Sequence, residues 1–340
     1  MAIECGSQSP ICDLPVHFDT YRGCTHRCAY CFAVRKESLR NKKVVPIFGE
    51  KHLRDFCNGK QTKETAWVDW KIPLHWGGMS DPFQPCEKKF GVSKKALEIF
   101  AETQYPFVVS TKGRIIAEPE YLELISRCNA VVQISMLCSA YDKIEEGCPT
   151  FEERLEILKA VSKVAKRTIV RCQPYTRVHF EEIKANIQRF AECGAYGVIF
   201  EGMKFIKKAD GMEKIGGDYV YPMKDLRADF VLLKAECHKY GLKFFSGENR
   251  LRAMGDSLCC CGVEGVKGFQ PNHFNLSRLL NGERPRPTKG QCAKDSGYRN
   301  LHHCNQVSGN SKYRGISFKD FILKEYRDKK ALYLKVFGKE

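Results

Sequence analysis

Short apolar runs separated by helical patterns constrain the fold of this chain more than any other feature. The runs are His17–Arg22, Ile72–Trp76, Phe107–Ser110, Ala130–Ser135, Thr168–Cys172 and Gly197–Glu201, and Leu242–Ser246 extends the series. Wholly apolar strands alternating with helices predict a parallel sheet buried on both faces. Pro73 fits the second run only at its start, because proline cannot donate to a ladder. Ser93 is the expected cap of a helix through Phe100, and a helix follows from Glu118 to Arg127. Thr150 with Glu153 forms a capping box opening a helix to Val164. Further helices are expected over 181–193, 225–240 and 318–336. At 340 residues the chain is near the size of one α/β barrel plus an extension.

Between the first two runs stands Cys24-Thr25-His26-Arg27-Cys28-Ala29-Tyr30-Cys31. One tight loop with this spacing can turn three thiolates onto a single metal centre. A four-iron cluster held by three protein ligands keeps one iron without a side-chain ligand, and an open position marks a catalytic rather than a structural metal site. Two other readings stand beside it. Offsets of four and seven also place three small buried thiols on one helix face, and zinc could take the three cysteines with His26.

The spacing and its aromatic flank resemble the cluster loop of the radical S-adenosylmethionine (radical SAM) enzymes. Gly77-Gly78-Met79-Ser80-Asp81-Pro82-Phe83-Gln84-Pro85, then Glu87-Lys88-Lys89, then Val108-Val109-Ser110-Thr111-Lys112, are similar to the spore photoproduct lyase-like branch, often described as DNA-repair-photolyase-like. The likeness covers roughly the first two-thirds of the chain. It implies an α/β fold, a partial (βα)6 TIM-like barrel open on one side. It also implies that Cys24, Cys28 and Cys31 hold a 4Fe–4S cluster whose fourth iron takes the amino and carboxylate groups of SAM. One electron, from a donor such as flavodoxin or ferredoxin, then yields a 5′-deoxyadenosyl radical that removes hydrogen from substrate. In this reading Gly77, Gly78, Ser80 and Asp81 stand at the SAM amino group, Lys112 and Ser135 near its carboxylate or ribose. Tyr30, Arg171 and Glu201 are further candidates to face SAM or substrate. One departure matters. Spore photoproduct lyases carry a hydrogen-donating cysteine two residues before the aspartate, and here that place is Met79, which has no S–H. Thymine-dimer repair itself is therefore not expected; Cys86 and Cys138 are substitutes by position.

Beyond Asn249 the sequence becomes Gly-rich and Cys-rich. Cys259-Cys260-Cys261 is followed by Cys292 and by His302-His303-Cys304. Coordination can replace a missing apolar core, so four of these five cysteines are expected to hold an auxiliary 4Fe–4S cluster, with zinc the alternative. The expected division is a barrel core over 1–250, a cysteine-rich extension over 251–314 and a closing helix over 315–340.

Lysine and arginine exceed aspartate and glutamate by 56 to 40, a formal charge of +16. Such a surplus favours polyanions such as nucleic acid, although scattered charge also serves solubility. The first residues lack the basic and apolar regions of a leader, and no run approaches the roughly 20 apolar residues of a membrane span. With 18 cysteines, a reducing cytoplasm is expected. The leading expectation is hydrogen abstraction from a nucleic-acid or nucleotide-type substrate. Its rivals are radical modification of a peptide, protein side chain or small metabolite, and a non-catalytic metal-binding module that contacts nucleic acid.

Overall fold

A computed structural model of the chain describes residues 3–6, 8–35, 43–60, 71–215, 217–294 and 316–336. Its main sheet has eight strands: β1 (Ile3–Cys5), β2 (Val16–Phe18), β3 (Leu74–Trp76), β4 (Phe107–Thr111), β5 (Ala130–Ser135), β6 (Arg167–Tyr175), β7 (Gly197–Gly202) and β8 (Lys243–Ser246). They lie side by side in chain order. β2 to β8 pair in parallel, and β1 runs antiparallel along β2. Seven parallel strands with an edge at each end form an incomplete TIM-like barrel. β8, over Lys243–Ser246, is the expected extension beyond the six β-α repeats.

Two strands depart instructively from expectation. The first run is split: β2 stops at Phe18, and Tyr21–Arg22 pairs instead with Val45–Pro46. Asp19 breaks it, turning its carboxylate to accept from the backbone N–H groups of Met79 and Ser80, each at 3.2 Å. β3 begins at Leu74, just after Pro73, which leaves the ladder intact.

The helices are α1 (Glu50–Cys57), α2 (Val92–Thr103), α3 (Pro119–Ser126), α4 (Phe151–Val161), α5 (Phe180–Glu192), α6 (Met223–Lys239) and α7 (Phe318–Val336), with shorter turns between. The Thr150–Glu153 capping box opens α4, which ends at Val161, three residues earlier than expected. Ser93 does not cap α2; it lies inside the helix. The buried carboxylate of Glu87 takes that part, accepting from Ser93 N at 3.0 Å and Lys94 N at 2.9 Å and from the Tyr121 hydroxyl at 3.0 Å. A carboxylate there also offsets the positive end of the helix.

Alternate strand residues serve two cores, as the pleat requires. Val109, Val132, Val170 and Val198 face the helices. Val108, Val131, Ile169, Ile199 and Phe245 point into the barrel and pack on Cys259, Cys261, Val263, Val266 and Phe269. The described part of the extension is thus the barrel floor, beneath the amino-terminal halves of the strands. Each large side chain buried there contributes roughly 1.5–3 kcal/mol. A strap secures the floor: Arg278 donates to Asp13 at 2.5 Å, Ser277 to Ile11 O at 2.6 Å and Asn272 N to Asp13 O at 2.8 Å. Among the described residues, no helix is long and apolar enough to cross a membrane.

Candidate functional site

The cysteine loop lies at the carboxyl-terminal mouth of the barrel, where strand ends present polar groups. Gln84 clamps it, accepting from Thr25 N at 2.9 Å and donating to Gly23 O at 3.1 Å. His26 is buried, with Nδ1 2.7 Å from Gly147 O and Nε2 3.2 Å from the Asp81 carboxylate. Burial opposes the imidazolium, but Asp81 and Gly147 raise its pKa overall. Nδ1 is thus committed to Gly147 and Nε2 faces the Asp81 carboxylate, which speaks against His26 as a fourth metal ligand. Gly147 approaches so closely that a Cβ there would stand 2.4 Å from Thr25 O.

Asp81, expected at a ligand's amino group, spends its oxygens on the protein. It accepts from Thr111 Oγ1 at 2.7 Å, Lys112 N at 2.6 Å and Phe83 N at 2.8 Å, in addition to facing His26. It ties the loop to the ends of β3 and β4. Ser80 is likewise buried and donates to Tyr21 O at 2.7 Å. Gly77 has φ +87°, and a Cβ there would meet Ser110 O at 2.5 Å, so glycine is required. Gly78 follows it beside His17.

Lys112 and Ser135 do come together: Lys112 Nζ donates to Ser135 Oγ at 2.7 Å. The same ammonium lies 5.8 Å from the Tyr30 ring centre and 3.8 Å from Glu145. Glu145 is buried, accepts from the Tyr30 hydroxyl, and pairs with fully buried Arg154 at 2.6 Å. Burial works against its charge, yet Lys112 and Arg154 hold the carboxyl below its usual range. Cys148 stands 3.7 Å from Cys28, sulfur to sulfur. The hydrogen bond the two thiols share lowers the Cys28 thiol's pKa against the effect of burial. Glu145, Cys148 and Arg154 escaped the sequence reading, and Gln84 stood in the Gly77–Pro85 motif without a role of its own. The Glu-Glu-Gly-Cys run at 145–148 was the one available signal, and it lies far along the chain from the loop it meets.

Arg171 and Glu201 belong to a polar chain across the barrel interior. His75 Nε2 lies 3.2 Å from Ser110 Oγ, whose hydroxyl donates to Gln133 Oε1 at 2.8 Å. Arg171 donates to Gln133 at 2.9 Å and to Gln173 at 2.6 Å, and Gln173 donates to Glu201 at 2.5 Å. Lys204 closes the chain on Glu201 at 2.7 Å. Burial, with His17 and Arg171 nearby, keeps His75 neutral. These side chains are fixed and offer both donors and acceptors to a bound molecule.

The floor gathers a second set of thiols. Cys259 and Cys261 are in the apolar floor, and Cys12 and Cys260 pack against it. Buried Arg252 points Nη1 at Cys260 Sγ, 3.8 Å away, and donates to Asn249 Oδ1 at 2.6 Å. Cys261 and then Arg252 lower the Cys260 thiol's pKa, while burial first and then Cys260 push Cys12 up to about 12. Cys12, which has no cysteine at a recognisable metal-ligand spacing in the sequence, reaches the trio through the Asp13 strap. Cys292 is exposed at the end of the short helix Lys289–Cys292. Cys304, with His302 and His303, lies outside the described residues. Every cysteine with a described side chain is a free thiol.

No family model matches the chain. Uncharacterized proteins of Mycobacterium tuberculosis and Mycobacterium bovis are 24% identical to it over 205 residues, 54% of this chain and 57% of each relative. The matched part is thus little more than half of those relatives' length. Among solved structures, a spore photoproduct lyase mutant superposes with a TM-score of 0.59 at 16% identity, over 72% of this chain and 79% of that one. Another, with bound AdoMet and dinucleoside spore photoproduct, gives 0.56 at 16% identity over 71% and 78%. Streptococcus suis SuiB gives 0.52 at 14% identity, over 96% of this chain and 68% of that one. The fold is of the radical SAM type. Within that type it is spore photoproduct lyase-like.

Proposed function

We propose that this chain is a radical SAM enzyme acting on a nucleic-acid or nucleotide-type substrate. One observation carries the reading: Cys24, Cys28 and Cys31 sit on a loop pinned by Gln84, His26 and Asp81 at the mouth of a partial barrel, facing the Lys112–Ser135–Glu145 set. Cys24, Cys28 and Cys31 would hold a 4Fe–4S cluster that, with SAM bound, supplies one-electron cleavage to a 5′-deoxyadenosyl radical. Asp81, Gln84 and His26 orient the loop, and Lys112 and Ser135 offer a cation and a hydroxyl to the cofactor's polar groups. Tyr30 packs beside them. The His75-to-Glu201 chain would bind and orient substrate beneath, with Arg171 and Lys204 supplying positive charge.

The substrate class rests on the +16 charge and on the dinucleoside held by a structural neighbour. Met79 again speaks against thymine-dimer repair. The thiols of Cys12, Cys259, Cys260 and Cys261 support a second cluster at the floor, zinc being the alternative. The abundance of free thiols fits a reducing cytoplasm, and a low-potential protein such as flavodoxin or ferredoxin would supply the electron. A second reading, radical modification of a peptide, draws on Streptococcus suis SuiB, whose structure bound to precursor peptide SuiA superposes over 70% of this chain with a TM-score of 0.50.

The test is to purify the protein without oxygen, reconstitute it, and measure iron, acid-labile sulfide and 5′-deoxyadenosine formation, beside a variant with Ala at Cys24, Cys28 and Cys31. About eight irons falling to about four, with cleavage abolished, supports both centres. No iron and no cleavage in the parent overturns the radical reading and leaves a metal-binding module. DNA or RNA binding that weakens steeply with salt separates the nucleic-acid substrate from a peptide, since phosphate contacts release counterions.

A further inference from the structure

A second constellation lies away from both sets of thiols. Cys138 follows the end of β5, His179 lies in the short 3-10 turn Arg177–His179, and Glu182 is in the first turn of α5. Their ligand atoms, Sγ, an imidazole nitrogen and a carboxylate oxygen, all lie within 4.8 Å of one another. Two segments, the loop after β5 and the turn that opens α5, thus converge on one point with three kinds of donor. Sulfur, nitrogen and oxygen together suit a cation of borderline softness, and zinc above all.

The donors are also held from behind, as metal ligands are. Glu182 Oε1 accepts from Ser139 N at 3.0 Å and from Ser139 Oγ at 2.7 Å. The His179 ring packs edge-on against Tyr141, 5.6 Å between centres, and Tyr141 is fixed by Thr176 Oγ1 at 2.8 Å and Pro174 O at 2.9 Å. Cys138 is fully buried, whereas His179 and Glu182 are half-buried and line a cavity of about 770 Å³ with Arg177, Phe180 and Asp229. A cation between them would have protein on one side and the cavity on the other.

The geometry points to a zinc site formed by Cys138, His179 and Glu182 at the outer rim of the barrel, with its fourth position open to the cavity. Binding forms a Zn–S bond and releases the Cys138 thiol proton to solvent; neutral His179 and ionised Glu182 complete the protein ligands. Three mixed protein ligands and one open position are the arrangement that holds water or a ligand atom, not a closed structural site.

Zinc K-edge X-ray absorption on the full-length, cluster-loaded protein with one equivalent of zinc tests this, because iron is invisible at that edge. The expected shell is one sulfur at about 2.3 Å and nitrogen or oxygen at about 2.0–2.2 Å. His179→Ala and Glu182→Gln should each weaken zinc binding by more than about 100-fold, beyond the loss of an outer partner, with iron per chain unchanged. Both side chains are half-buried at the surface, so the fold should survive; circular dichroism checks that. An all-sulfur shell, or zinc binding that withstands both substitutions, overturns the proposal and assigns the metal to the floor thiols. A protein that binds no zinc overturns the proposal as well.

Discussion

The mouth and the floor of this barrel each hold thiols next to a buried arginine, but they spend the arginine differently. At the mouth, Arg154 pairs with Glu145 at 2.6 Å and Asp142 at 3.3 Å and donates to Ser135 O at 3.0 Å. Its charge is neutralised locally, and the thiol of Cys28 shares a hydrogen bond with Cys148. At the floor, the Arg252 guanidinium is turned toward sulfur, with Cys260, Cys12 and Cys259 all feeling its charge. A guanidinium placed so favours thiolate over thiol. The mouth holds a loop in position and leaves its three thiols half-exposed. The floor favours charge on one sulfur, Cys260, while burial pushes Cys12 and Cys259 up and the neighbouring Cys260 raises Cys261.

The largest expected effect separates the floor's ligands. If Cys12 completes the buried set, Cys12→Ala should lower iron from about eight to about four per chain while SAM cleavage persists. Cys292→Ala should leave iron unchanged. The opposite result would return the site to the grouping expected from the sequence, with Cys292 a ligand.

Next in size is the mouth's charge pair. Glu145→Ala leaves fully buried Arg154 with only Asp142 as carboxylate partner, and breaking a buried pair costs about 3–5 kcal/mol. The urea midpoint should fall accordingly, and Lys112 loses one of its anchors. A variant within about 0.5 kcal/mol of the parent would mean that Arg154 is not held by Glu145.

The fold was legible because the signals were local. Apolar runs, the Thr150–Glu153 box and the Cys24–Cys31 spacing each fit inside one element. What escaped was non-local. Glu87 replaced Ser93 as the cap because a carboxylate reached across from a preceding turn, and Asp19 ended β2 because it was drawn to Met79 and Ser80. Cys12 had no partner in sequence; Asp13, gripped by Arg278 more than 260 residues away, carried it to the floor. Asp81 and Ser80, expected at a ligand's amino group, spend their hydrogen bonds on the protein, because Tyr21, Thr111 and Lys112 come to them from other parts of the chain.

A smaller effect belongs to Gly147. A Cβ there would stand 2.4 Å from Thr25 O and 2.8 Å from His26 Cα, so Gly147→Ala must push the cysteine loop outward. Overpacking of this kind costs about 1–3 kcal/mol. SAM cleavage should fall several-fold at unchanged floor iron, and a fully active variant would show that the loop tolerates displacement.

The smallest effect is at the floor's hinge. Asp256 joins β8 to the loop that leads into the cysteines, accepting from Phe244 N at 2.9 Å while its own N–H donates to Phe244 O at 2.8 Å. His238 and Lys234 also face its carboxylate, at 2.8 and 3.0 Å. Burial raises its pKa, but these donors more than offset that and hold the carboxyl below its usual range. A carboxyl lowered by folding stabilises the native state above its unfolded pKa and loses that contribution as pH falls through the folded value. Asp256→Asn should therefore cost about 1–2 kcal/mol near neutral pH, and the gap to the parent should narrow below about pH 4. Because the mouth lies at the other end of the strands, SAM cleavage should barely change. A gap that stays constant into acid would place the effect in packing or in the Phe244 hydrogen bond alone, and one that widens would reverse the assigned sign.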